Sequence, residues 1–143
     1  MASPPLTNRE YAYFTVTGKG DSSLISSILK IESTKNWSEG ENNPRNNTPR
    51  KFMRWNLESG LDDTQSIDLH IEKLLSVLEP LALELAELST KYEVYIQCVG
   101  YFPPPSHGLH LDRKVIERIS RLSVSLDYDF YFVSDNGHDL DYC

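Results

Sequence analysis

Two stretches of this 143-residue chain align with each other, and they are the strongest constraint on its fold. Residues 21–31 align without a gap on residues 112–122, because each begins with Asp and has apolar residues three, four, seven and ten positions later. Asp is a favoured N-cap residue, and this spacing is typical of an amphipathic helix. Just upstream, residues 13–18 align on residues 95–100, and both segments end in Gly. The chain therefore contains a strand–Gly–helix unit twice.

The two copies differ at one place, an insertion in the second copy. In the first copy the Asp follows the Gly by three residues, and in the second it follows by twelve. This longer connection, residues 101–111, contains three consecutive prolines and the two histidines His107 and His110. We expect Tyr101, His107 and His110 to be binding candidates in this loop. Two histidines without a third or fourth ligand do not indicate a metal site, so we predict no metal and no other cofactor.

Length and composition favour one soluble domain. The net charge of -7 argues against nucleic acid as the main partner, because phosphate binding requires clustered Lys and Arg. The N-terminus has no basic, apolar leader, and no stretch has the apolar length of a membrane span. Two cysteines form no disulfide framework, so we predict a cytoplasmic protein without a membrane partner. We expect an N-terminal tail at 1–9, a domain at 10–133 and an acidic tail at 134–143.

Hydrophobic periodicity predicts alternating strands and helices. Strands are expected at 10–18, 51–58, 92–102 and 124–133, with a further short strand in 31–37, and helices at 21–30, 64–91 and 112–122. Pro80 should kink or break the long helix, because it lacks an amide donor. The Asn-rich residues 38–50 should form a polar loop. This order predicts an α+β fold: a single, mainly antiparallel sheet with helices on one face, in a ferredoxin-like repeat of two strand–helix–strand halves joined by the long helix.

Superposing the two copies assigns the faces of the sheet, because side chains alternate along a strand. The helix side should receive Ala12, Phe14, Val16, Trp55, Val94, Ile96 and Cys98. The open side should show Tyr13, Thr15, Thr17, Arg54, Asn56, Tyr95, Gln97, Val99, Asp127, Asp129 and Tyr131. The acids on this side would repel phosphate. A ligand with donor groups, a basic protein surface or a second copy of the chain would suit it, and a solvated sheet face is the simplest alternative.

The candidate chemistry does not converge on one set of residues. Asp127 and Asp129 point the same way about 7 Å apart, a separation that some hydrolases use, although exposed acids on a strand are also common. Cys98 should face inward, where a buried thiol is usually inert. No phosphate-binding Gly loop, nucleophile elbow or HExxH motif occurs. We therefore assign no catalytic residue and favour a protein that is not an enzyme.

Several short motifs recur together in one known family. They are Tyr11-x-Tyr-Phe-x-Val-x-Gly18, Ile31-Glu-x-Thr-Lys35 with Trp37, Trp55-x-Leu-Glu-Ser-Gly60, Gln97-x-Val-Gly-Tyr101, Gly108-Leu-His-Leu111 and Leu126-Asp-x-Asp129. With them the chain resembles, over about residues 10–133, the small bacterial proteins known as domain of unknown function 4279. The resemblance implies a bacterial, single-domain, cytosolic protein. It supplies no activity, so it carries over no catalytic residue.

Three functional hypotheses follow. The first is a non-enzymatic domain that engages a protein partner, as an immunity or regulatory protein does, through the open sheet face and the inserted loop. The second is a small-molecule site or enzyme in a cleft between loop 101–111 and strand 51–58. There His110 would be the acid–base candidate, and Arg54 beside Trp55 would contact an anion. The third is self-association through the open face.

Overall fold

The computed structural model describes residues 7–105, 108–133 and 139–141, which form one layer of sheet covered by helices. In chain order the elements are β1 (Arg9–Gly18), α1 (Ser23–Leu29), β2 (Lys35–Trp37), β3 (Asn42–Asn43), β4 (Thr48–Pro49), β5 (Met53–Glu58), α2 (Ile67–Leu78), a 3-10 turn (Glu79–Leu81), α3 (Ala82–Leu88), β6 (Glu93–Phe102), α4 (Arg113–Ser120), β7 (Ser125–Val133) and β8 (Asp139–Asp141).

The main sheet has six strands in the order β2-β5-β1-β6-β7-β8. All neighbouring pairs are antiparallel except β6 and β7, which run parallel. This confirms the α+β class and the mainly antiparallel sheet. The edge strand β8 comes from the segment predicted as an acidic tail. Trp55, Phe14 and Phe102 are fully buried under the helices, so the core lies on one side of the sheet.

The predicted ferredoxin-like repeat is not the arrangement found. We expected strand 51–58 to close the first strand–helix–strand half, but β5 runs antiparallel to β1 beside it. The strand parallel to β1 is the short β2, which lies on the far side of β5. In the second half β6 and β7 are parallel and adjacent. The halves differ because a hairpin after β2 reverses the chain and returns it as β5 between β2 and β1.

The aligned strands themselves are related by a local two-fold axis. Tyr13 lies opposite Gln97, Phe14 opposite Ile96, and Thr15 opposite Tyr95 in the β1–β6 pair. The sequence alignment matches Tyr13 with Tyr95 and Thr15 with Gln97. A two-fold axis that passes between Phe14 and Ile96 relates the same residues, because it exchanges β1 with β6. The two-fold relation therefore holds for the central pair β1–β6, and the strands that follow the two helices do not share it.

The helix termini follow the sequence signals closely. The carboxylate of Asp112 accepts a hydrogen bond from the Val115 backbone amide at 3.0 Å, which confirms it as the N-cap of α4. Asp21 is one residue too early to be the N-cap of α1, and its carboxylate accepts from the Ser23 amide at 2.9 Å. Pro80 lies in the 3-10 turn that separates α2 from α3, as the missing amide donor predicts.

The Asn-rich segment predicted as a polar loop forms a two-stranded hairpin, β3–β4. Its turn is held by side-chain oxygens, because Asn43 Oδ1 accepts from the Arg45 amide at 3.0 Å and Asn46 Oδ1 from the Thr48 amide at 3.2 Å. Asn47 adopts the left-handed conformation with φ 54°, which Asn tolerates better than most residues. This chemistry is local and polar, so it leaves no hydrophobic periodicity in the sequence.

Candidate functional site

The sheet surface opposite the helices is the most distinctive surface of the molecule, and we call it the tyrosine face. It is formed by Tyr11, Tyr13, Thr15, Thr17, Arg54, Asn56, Tyr95, Gln97, Val99, Tyr101, Asp127, Asp129 and Tyr131. Alternation along four strands brings these residues together, and it places eight of the eleven binding candidates on one surface. Trp55 and His110 are not part of it, and His107 lies outside the described residues.

The floor of the tyrosine face is polar, buried and hydrogen-bonded. Gln97 is only 9% exposed, and its amide nitrogen donates to the Asp129 carboxylate at 3.1 Å. Thr15 is fully buried, and its hydroxyl donates to the Asn56 amide oxygen at 2.6 Å. Satisfied buried groups of this kind hold their neighbours in one geometry. The floor therefore orients the carboxylate of Asp129 instead of offering a free reactive group.

The tyrosines stand above this floor as partly buried, stacked rings. The rings of Tyr101 and Tyr131 stack at 4.9 Å between centroids, and those of Tyr11 and Tyr13 at 6.4 Å. The guanidinium of Arg9 lies 5.1 Å from the centre of the Tyr101 ring. Stacking and partial burial restrict the rotamers, so these side chains form a preorganised surface.

Burial raises the pKa of two tyrosine hydroxyls on this face. The pKa of Tyr13 is raised above its ordinary value, first by burial and then by the nearby Tyr95 and Asp129, while Arg54 acts in the opposite direction. The pKa of Tyr11 is raised by burial and by Tyr101. Both phenols therefore remain hydrogen-bond donors and acceptors throughout the physiological range, and neither is a candidate nucleophile.

The charges of the tyrosine face are separated along the sheet. Asp127 and Asp129 lie on β7, near one edge, and neither forms an ion pair with any described residue. Arg54 lies on β5, which is separated from β7 by the two strands β1 and β6, and it lines two surface cavities with neighbouring basic residues. The face is therefore acidic on one side and basic on the other. Sequence reasoning found Arg54 but missed its neighbours, because residues 38–50 gave no regular pattern.

The described residues form no cleft between loop 101–111 and strand 51–58, which is a correction to the second hypothesis. Arg54 lies opposite Thr17, and Thr17 lies opposite Glu93 at the start of β6. The loop begins eight residues further along β6, at Tyr101, or about 26 Å away at the rise of a strand. Arg54 and the loop therefore occupy opposite ends of the sheet, because β1 runs antiparallel to both β5 and β6.

Two of the predicted site residues lie on the helix side. Trp55 is fully buried, and its indole nitrogen donates to the Ser26 hydroxyl at 2.9 Å, so it is a core residue. His110 lines a separate apolar hollow with Ile116 and Tyr128 on the helix side of β7. His107 lies outside the described residues. Of the loop residues that the structure describes, only Tyr101 belongs to the tyrosine face.

The described residues offer little nucleophilic or metal-binding chemistry. Cys98 is buried, and burial, with a smaller contribution from Asp127, raises the pKa of its thiol to about 12. At neutral pH this thiol is protonated and unreactive. Within the described ranges, no group of three or more His, Cys, Asp or Glu side chains could hold a metal ion. This arrangement of residues can form hydrogen bonds, aromatic stacks and ion pairs.

None of the helices within the described part of the chain has the length and apolar character needed to cross a membrane.

Comparison with known proteins identifies a family and nothing finer. Neither the curated proteins nor the solved structures contain a match to this chain. A comparison with protein families matched residues 8–133 to the family described as Domain of unknown function (DUF4279). The match covers the whole sheet except β8, together with all four helices. The chain therefore belongs to the DUF4279 family, as its motifs predicted.

Proposed function

We propose that this protein is a non-enzymatic binding domain whose tyrosine face engages a protein partner that presents basic groups. The observation that carries the proposal is the combination of five partly buried tyrosines with two acids, Asp127 and Asp129, that have no ion-pair partner in the described chain. Such a domain acts by occupying its partner, which is how immunity and regulatory proteins work.

Tyrosine is well suited to this role. It is enriched at protein interfaces because a rigid ring supplies a large contact area and its hydroxyl still forms hydrogen bonds. Stacked pairs such as Tyr101–Tyr131 lose little side-chain entropy on binding, because their rotamers are already restricted. The carboxylates at the β7 side would attract basic side chains and select the orientation of the partner.

The test is a binding measurement with a matched pair of double variants. Tyr95→Ala with Asp127→Ala removes one ring and one free acid from the tyrosine face. Tyr128→Ala with Glu117→Ala likewise removes one tyrosine and one acid, here from exposed positions on the helix side. Partners are first captured with the wild-type protein from the native organism and identified by mass spectrometry. Each captured partner is then purified, and its affinity for the wild type and for the two double variants is measured at two salt concentrations.

We expect the tyrosine-face variant to bind its partner roughly tenfold more weakly or worse, as for an interface hot spot. The helix-side variant should bind like the wild type, and added salt should weaken the complex. Equal losses in both variants would contradict the proposal. A second copy of the chain is the other occupant, and light scattering distinguishes it: a dimer that only the tyrosine-face variant dissociates would replace the partner protein with self-association.

A further inference from the structure

A polar cavity lies at the corner of the tyrosine face, far from Asp127 and Asp129. Trp37, Arg54 and Thr17 form one row across β2, β5 and β1, and the β3–β4 hairpin lies beside them. The cavity between the row and the hairpin has a volume of about 290 Å³. We call it the Arg50 pocket, and its polar lining includes Asn43, Asn46, Arg50, Lys51 and Arg54.

The Arg50 pocket is basic in an acidic protein. Three cationic residues, Arg50, Lys51 and Arg54, line it, and no acidic residue does so among those the structure describes. The adjacent carboxylate of Glu39 is engaged elsewhere, because it accepts from the Gly20 amide at 3.0 Å and lies 3.7 Å from the Lys19 ammonium. The chain as a whole carries a net charge of -7, so this local excess of positive charge is not an average property of the surface.

Arg50 is held in place but is not fully hydrogen-bonded. Its guanidinium carbon lies 3.8 Å from the centre of the Trp37 ring, and its backbone pairs with both Gly40 and Glu41 at 2.8 Å. The Nε atom is buried and has no hydrogen-bond partner in the described chain. A buried donor without a partner is unfavourable, and a charged one more so. A planar guanidinium fixed by stacking is a suitable donor to an oxyanion.

The hairpin adds neutral donors to the same cavity. The side-chain oxygens of Asn43 and Asn46 accept hydrogen bonds from backbone amides of the turn, which assigns the oxygen and nitrogen of each amide group. Their NH2 groups make no hydrogen bond to any other described residue. The pocket thus combines cationic side chains with asparagine NH2 groups that have no hydrogen-bond acceptor within the described chain, and its described lining contains no carboxylate that could accept from them.

From this arrangement we propose that the Arg50 pocket binds a small molecule through an oxyanion group, either phosphate or carboxylate. The guanidinium of Arg50 forms hydrogen bonds to the oxyanion, Arg54 and Lys51 contribute charge, and the asparagine NH2 groups complete the shell. The volume is at the lower end of ligand cavities, so the pocket holds one small group and not an extended chain. This site is independent of the partner-binding role of the tyrosines, and either can fail alone.

The experiment is an NMR titration that contains its own control. Two tryptophan indole signals are expected, because the chain has two Trp residues. Trp37 lines the Arg50 pocket, whereas Trp55 is buried on the helix side and bonded to Ser26. Inorganic phosphate, acetate and chloride are added separately at constant ionic strength and pH. We expect phosphate or acetate to shift the Trp37 indole and the Arg50 Nε–H signals in a saturable way, while chloride and the Trp55 indole show no such change.

Matched variants separate a built site from nonspecific charge attraction. Arg50→Gln and the exposed Arg113→Gln remove the same charge, the latter from α4. We expect Arg50→Gln to weaken anion binding about tenfold or more, the effect of losing hydrogen bonds from a charged donor, and Arg113→Gln to leave it unchanged. If Arg50→Gln does not fold, Arg54→Gln is measured in its place. A shift that is linear in anion concentration, or equal in the two variants, would overturn the proposal.

Discussion

Gly100 shows how one residue shapes the aromatic part of the core. It lies on the helix side of β6, and a Cβ atom placed on it would be 2.5 Å from the ring of Phe102. The ring of Phe130 on the neighbouring strand would lie 3.3 Å away, and the two phenylalanines pack edge to face at 5.2 Å. Because Phe102 is fully buried, its ring has little room to withdraw. Gly100 is therefore a packing requirement, and its role does not depend on an unusual backbone conformation.

Replacing Gly100 with alanine should destabilise the protein by about 1–3 kcal/mol, the usual cost of overpacking a core. Urea unfolding followed by tryptophan fluorescence measures the free energy of unfolding. Gly108→Ala is the matched control, because a Cβ there meets nothing within 4 Å. Should both variants lose the same stability, the close approach of Phe102 to Gly100 would not be the cause.

At the scale of elements, the segment between β5 and α2 is fastened by a buried histidine. His70 is almost fully buried, its Nδ1 lies 2.6 Å from the Ser59 hydroxyl and its Nε2 lies 3.0 Å from the Asp62 carbonyl. A carbonyl can only accept, so Nε2 carries a proton, and in the neutral imidazole Nδ1 then accepts from the Ser59 hydroxyl. The Glu10 carboxylate also accepts from the Ile67 amide at 3.3 Å, which connects β1 to the first turn of α2.

Replacing His70 with leucine should cost about 1–3 kcal/mol, because the Ser59 hydroxyl and the Asp62 carbonyl lose their buried partner. Denaturant unfolding measures this loss, and the slope against urea should stay unchanged if only stability is affected. Lys73→Leu introduces the same residue at an exposed position of α2 and should change stability by no more than about 0.5 kcal/mol. A His70→Leu protein as stable as the wild type would show that these hydrogen bonds contribute nothing net.

Across the whole molecule, stability should be highest in the two central strands. Both β1 and β6 pair with a strand on each side, and Phe14, Val16, Ile96 and Cys98 in them are buried under the helices. The hairpin β3–β4 pairs only with itself and is largely exposed. Opening the hairpin therefore disrupts few buried contacts, whereas exposing the centre of the sheet requires global unfolding.

Hydrogen exchange measured by NMR should follow this order. We expect amides of Phe14 and Ile96 to exchange only through global unfolding, and amides of Asn43 and Thr48 to exchange through local opening at much lower free energy. Denaturant should accelerate the first class and leave the second nearly unchanged. Comparable protection in the hairpin and the central strands would mean that the hairpin unfolds together with the core.

Local signals predicted a large part of the fold and most of the tyrosine face. Alternation in β1 and β6 correctly assigned Tyr13 and Gln97 to one side of the sheet and Cys98 to the other, because successive side chains on a strand must point to opposite faces. Pro80 marked the end of α2, and Asp112 marked the start of α4. Each of these features depends on a few consecutive residues, so the amino-acid sequence alone determined them.

Only the tertiary structure decided which of these elements lie side by side. β5 inserts between β2 and β1 and runs antiparallel to β1, so its Arg54 lies at the opposite end of the sheet from the loop at Tyr101, although the sequence suggested a cleft between them. The same insertion placed Trp37 next to Arg54, and the hairpin brought Arg50 onto the Trp37 ring. Strand order results from the burial of all the helices and strands together, and no short segment carries that information. The sequence thus determined which side chains share a face, and packing decided which of them meet.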